Sequence, residues 1–164
     1  MIDSSAIRLR LLLSTALGLW LALSGQAASA QVCTTSAVAP VFGNYLSTSP
    51  GSNAAGSVSV SCVVPGVLGQ NVFYSVKLGL SGQAQGTQRR MGSAGNFLAY
   101  NVFCDSGYNQ IWADGTGASC VRTGGQAGLL GTLLTVYPLY GRIPGGQFVS
   151  PGSYSDNIAI EVLY

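Results

Sequence analysis

The chain has 164 residues and a formal net charge of +2, with only 7 % of its residues charged. So little charge gives no footing for binding nucleic acid or an anionic membrane surface. It contains no histidine, which excludes a nucleophile activated by imidazole, and no GxSxG, P-loop or GxGxxG pattern suggests a hydrolase or a nucleotide site.

Residues 1–30 read as a secretory signal peptide. Arg8 and Arg10 precede an apolar run from Leu11 to Leu23, and Ala28-Ser29-Ala30 supplies small residues for cleavage. The run is shorter than the roughly 20 residues a membrane-spanning helix needs, which favours a cleaved signal over an anchor. Ala30-Gln31-Val32 lacks the small residue expected just ahead of a lipidated cysteine, so Cys33 is not expected to carry lipid. Residues 31–164 suffice for one domain with a core and are too few for two. The four cysteines, Cys33, Cys62, Cys104 and Cys120, all lie in this exported part. They argue for two disulfides; a metal site is disfavoured because the spacings are not CxxC-like and no histidine is present. Three pairings are open. Cys33–Cys62 with Cys104–Cys120 is favoured because these pairs close short loops between neighbouring strands.

No helical stripe of useful length follows the signal; strand signals do, separated by Gly-, Ser- and Pro-rich turns. Val38 to Phe42 reads as a first edge strand, since Pro40 interrupts it. Ser57 to Cys62 alternates, with Val58, Val60 and Cys62 inward and three serines outward, and Val72 to Leu80 repeats the pattern. Ser81 to Asn96 reads as a loop in which Arg89-Arg90 is a solvated pair. Phe97 to Cys104 is the next strand, and Asp105 to Gly128 is a glycine-rich connection holding Trp112. Leu129 to Tyr140 is apolar on both sides, as a buried strand would be. The last segment, Tyr154 to Tyr164, sets Ile158, Ile160, Val162 and Tyr164 on one face and has no turn or returning strand behind it. This gives about six strands where an immunoglobulin-like sandwich has seven. The expectation is an all-β, incomplete immunoglobulin-like Greek-key sandwich lacking its last strand. An exported sandwich of that kind can take the missing strand from a neighbour.

Few residues could carry chemistry. Asp105 and Asp114 are the only conceivable acid–base pair, and both sit in a connection where Asp commonly closes turns on nearby amides. The expectation is therefore no enzyme, no cofactor and no metal. Arg142, at the end of a strong strand, could be a surface contact or could hold loop carbonyls or a carboxylate. Trp112 could be an exposed aromatic for surface contact, or a core plug beneath the long loop, which is the commoner use.

Several stretches, in order along the exported part, resemble the spore coat protein U domain family, whose members include subunits of archaic chaperone–usher pili. They are Cys33, Val41-Phe42-Gly43-Asn44-Tyr45, the strand ending at Cys62, Arg90-Met91, Leu98-Ala99-Tyr100-Asn101-Val102-Phe103 and Ile111-Trp112-Ala113-Asp114-Gly115. Tyr140-Gly141-Arg142-Ile143-Pro144 and Gly152-Ser153-Tyr154-Ser155-Asp156 complete the set. The resemblance implies that residues 31–164 form one pilin-like domain, held open by a periplasmic chaperone and filled by a strand from the next subunit at an outer-membrane usher. Ile158, Ile160, Val162 and Tyr164 would then form one wall of the acceptor groove, with the carboxylate after Tyr164 gripped by the chaperone. It also implies export through the periplasm to a surface pilus or an extracellular coat, and a role in adhesion and biofilm formation.

Two features depart from the family pattern. Only Gln31 and Val32 separate the expected cleavage site from Cys33, or about seven residues if cleavage falls earlier, near Gly25, whereas a donor strand needs roughly 10 residues. That points to a subunit that accepts a strand without readily donating one, hence a tip or minor subunit. The Cys104/Cys120 pair is the second departure and would brace the long loop. The alternative reading is a self-complete coat or matrix protein of the same family. A small outer-membrane barrel is disfavoured by the short strands and paired cysteines.

Overall fold

The computed structural model of the protein describes residues 32–65 and 69–164; the expected signal peptide lies outside them. Eight strands form: β1 (Val32–Val38), β2 (Gly51–Val64), β3 (Gln70–Leu78), β4 (Arg89–Ser93), β5 (Asn96–Phe103), β6 (Arg122–Leu129), β7 (Gly131–Pro144) and β8 (Ile160–Leu163). Among the described residues there is no helix. Five strands build one sheet in the order β1-β2-β7-β5-β4, and three build the other in the order β6-β3-β8. The result is a two-sheet, immunoglobulin-like sandwich.

Side-chain alternation at period two produces this arrangement. Val58, Val60, Cys62 and Val64 from β2 meet Val72, Tyr74, Val76 and Leu78 from β3, and Leu98, Tyr100 and Val102 from β5 fill the space beside them. Each such aliphatic side chain contributes on the order of 1.5–3 kcal/mol when fully buried. The longest ladder joins β2 to β7 from Gly51↔Pro144 to Val64↔Gly131. The structure joins Cys33 to Cys62, directly opposite each other on β1 and β2, and Cys104 to Cys120.

Several local expectations are corrected. The first strand is not Val38 to Phe42 but Val32–Val38, and the chain leaves it just before Pro40, which has no amide hydrogen to give a ladder. Arg89-Arg90 is not a solvated loop pair: both lie on β4, Arg89 is fully buried, and the Arg90 guanidinium stacks 4.5 Å from the Phe97 ring centroid. Part of the expected glycine-rich connection is strand β6, because Gly124 leaves room for the Tyr74 and Tyr137 hydroxyls that meet above it. β7 is covered on one side only: Leu134 and Val136 point outward and are 65 % and 55 % exposed. At the end of the chain only Ile160–Leu163 is strand, although Tyr154 to Ala159 keeps the same alternation.

Candidate functional site: a cleft between two sheet edges

β1 is an edge of the larger sheet and β8 an edge of the smaller one. β1 is exposed on both faces apart from half-buried Cys33, with Thr35 and Ala37, on the same side as Cys33, both exposed. A cleft of about 1190 Å³ lies between the segment that follows β1 and the segment that leads into β8, reaching the core residues Val58, Leu78, Leu98, Leu139 and Ile143.

One wall is the segment that follows β1. The Phe42 ring lies against Gly141, where a side chain would collide with it, and the Phe42 carbonyl accepts from the Ser52 hydroxyl at 2.9 Å. The Tyr45 hydroxyl donates to the Pro144 carbonyl at 3.1 Å and accepts from the Gln147 amide at 2.8 Å. These contacts hold an irregular segment over the end of β7 without a ladder.

The opposite wall is the segment that leads into β8. It is fastened to β4 by reciprocal backbone bonds between Gly92 and Ser155, and to the residue just past β3 by Gly79 N–H on the Ala159 carbonyl at 2.9 Å. It therefore crosses from the edge of one sheet to the edge of the other. Asp156, Ile158 and Ile160 alternate with exposed residues and line the cleft. The Tyr100 hydroxyl donates to Asp156 Oδ2 at 2.5 Å. Burial, and then that bond to the carboxylate, push the Tyr100 phenol well above its ordinary pKa.

Beneath this wall sits Arg89. Its guanidinium donates to the carbonyls of Leu78 at 3.2 Å, Gly79 at 2.7 Å and Trp112 at 2.9 Å, while Nη1 is buried without a partner. Burial lowers its pKa, and the neighbouring Tyr100 and Asp156 oppose that shift. Sequence reading missed this residue, because a basic pair between glutamines and glycines looks like a loop.

Of the expected wall residues, Ile158 and Ile160 line the cleft and Val162 packs against the core. Tyr164 is 62 % exposed and lines instead a shallow depression with Phe73, Tyr74 and Gly124 on the smaller sheet. Trp112 as a surface contact is corrected: it is fully buried, its indole N–H donates to the Val76 carbonyl at 3.0 Å, and it plugs the sandwich beneath the loop braced by Cys104–Cys120. Arg142 is exposed and lies 5.3 Å from the Tyr108 ring centroid. Asp105 accepts from the backbone N–H groups of Asn109 and Gln110, and Asp114 from that of Thr116, so both carboxylates close turns. Those bonds hold both below the usual carboxylate range.

A profile of the Spore Coat Protein U domain family matches residues 20–161. Among curated proteins no sequence matches the chain. Among solved structures, the chain is similar to one in the crystal structure of the CsuC–CsuE chaperone–tip adhesion subunit pre-assembly complex from the archaic chaperone–usher Csu pili of Acinetobacter baumannii. The TM-score is 0.55 and the identity 22 %, over 82 % of this chain and 40 % of that one. The likeness is one of fold.

Proposed function

Given that this chain belongs to the Spore Coat Protein U domain family, we propose that it is a structural subunit of a chaperone–usher pilus, completed by a strand from a neighbouring subunit. The observation that carries this reading is the cleft between the segment that follows β1 and the segment that leads into β8, which leaves core residues reachable along the length of an extended segment. A strand laid there would add main-chain bonds at a sheet edge and seat alternate side chains on Ile158 and Ile160. In this account a periplasmic chaperone occupies the cleft first, and a subunit's donor strand replaces it at the outer-membrane usher. The protein then reaches the cell surface in a pilus that serves adhesion and biofilm formation.

A tip or minor position is part of the proposal. β1 is already paired to β2 from Val32 onward, so a donor segment would have to lie ahead of Val32. Signal cleavage near Ala30 would leave too little chain for it. Mass spectrometry of the exported protein's N-terminus tests this point; about ten or more residues before Val32 would overturn it.

The strand-accepting role is tested by thermal unfolding of the oxidised protein, alone and with peptides copied from the N-termini of co-encoded subunits. A weak transition that rises strongly with a peptide is expected. A sharp, high transition indifferent to every peptide would instead mean a self-complete coat or matrix protein.

A further inference from the structure

We infer that the cleft selects its strand by charge as well as by shape: the strand it takes presents one cationic or amide side chain in register with Asp156. This rests on the strand-accepting reading above.

Asp156 is the one charged residue among the described residues that line the cleft. It is half-buried, its Oδ2 accepts from the Tyr100 hydroxyl at 2.5 Å, and its Oδ1 accepts from the Asn157 backbone N–H at 2.8 Å. A carboxylate offers about four lone-pair positions, so roughly half of them still face water. The nearby cation does not meet them: Arg89 makes no hydrogen bond to Asp156, its Nη2 donating instead to the carbonyls of Leu78, Gly79 and Trp112 while Nη1 stays buried without a partner.

An extended strand entering the cleft would strip that water away. A wholly apolar strand would leave the carboxylate under-bonded in a drier site, and an acidic residue there would be repelled. A lysine, arginine, asparagine or glutamine would fill the empty positions, the cations with a charge-assisted bond. Along the wall, Asp156, Ile158 and Ile160 fall at alternate positions. The matching strand therefore presents one hydrogen-bond donor and two apolar residues at successive inward positions. Such a pattern fixes register, which apolar pockets alone specify weakly.

The test is a titration of the oxidised protein with synthetic peptides of about ten residues. They alternate valine and threonine, with one valine replaced by lysine at each position in turn. One lysine position is expected to bind about tenfold tighter than the all-valine peptide, and tighter still than aspartate at that position. The advantage should disappear in Asp156→Asn. Tyr100→Phe, which frees a lone pair and keeps the charge, should retain it. Equal binding of the lysine, valine and aspartate peptides would overturn charge selection while leaving strand acceptance intact. No binding by any peptide would overturn both.

Discussion

The side-chain amide of Gln147 takes both backbone groups of Ala99: Oε1 accepts from its N–H at 2.8 Å, and Nε2 donates to its carbonyl at 2.9 Å. β5 pairs with β7 only from Asn101 to Phe103, so Ala99 lies past the end of that ladder. One side chain thus does the work of a strand residue, and the backbone N–H of Gln147 also fixes Tyr45 in the opposite wall. Gln147→Ala should cost about 1–3 kcal/mol, because two partly buried backbone groups lose their partners. Gln147→Glu keeps an acceptor and loses the donor, so it should fall between wild type and Gln147→Ala in urea unfolding.

The β4–β5 hairpin turns on Ala94 and Gly95, with φ of 45° and 84°. Two left-handed residues make the turn that best matches strand twist, but alanine is strained there by its Cβ. Ala94→Gly and Ala94→Asn should therefore stabilise the protein by about 0.5–1 kcal/mol, read as a higher denaturation midpoint with an unchanged slope.

Arg89 joins β4 to β3 and to the plug loop through carbonyls alone. Arg89→Met should cost about 3 kcal/mol or more, since three acceptors are orphaned at once. Arg89→Lys should recover only part of this, because an ammonium does not reproduce the planar fork. Equilibrium unfolding of the two variants gives the comparison, and a neutral Arg89→Met would contradict the role described.

Tyr100 and Tyr137 both have their phenols raised above the ordinary value, in each case chiefly by burial. As pH climbs past about 10, the unfolded chain releases these protons before the folded one does. The stability they contribute is therefore complete below that pH and is lost above it. Thermal scans from pH 8 upward should show a falling transition temperature, with a smaller fall in Tyr137→Phe.

Much of the sandwich was legible in advance, because Val58, Val60 and Cys62, then Val72 to Leu78, then Leu98 to Val102 alternate cleanly and bury the expected face. β4 was not: Arg89-Arg90-Met91 owes its strand state to a buried cation held by distant carbonyls, which no local pattern announces. The turn at Ala94 was hidden for a related reason, since alanine seldom occupies such a turn. β6 was masked by glycines that read as loop but here admit two tyrosine hydroxyls. Within the cleft, the alternation of Ile158 and Ile160 was visible. The pairing of Asp156 with Tyr100, 56 positions away, required the fold.

Cys33 and Cys62 rivet the start of β1 to β2, and β2 in turn lies against β7 along its whole length. A pull entering through β1 and directed along the strands would meet a covalent bond first. It would then meet a ladder that must shear as a unit, rather than peel open one rung at a time. The edge that borders the cleft is thus coupled to the seam with the most rungs among the described residues.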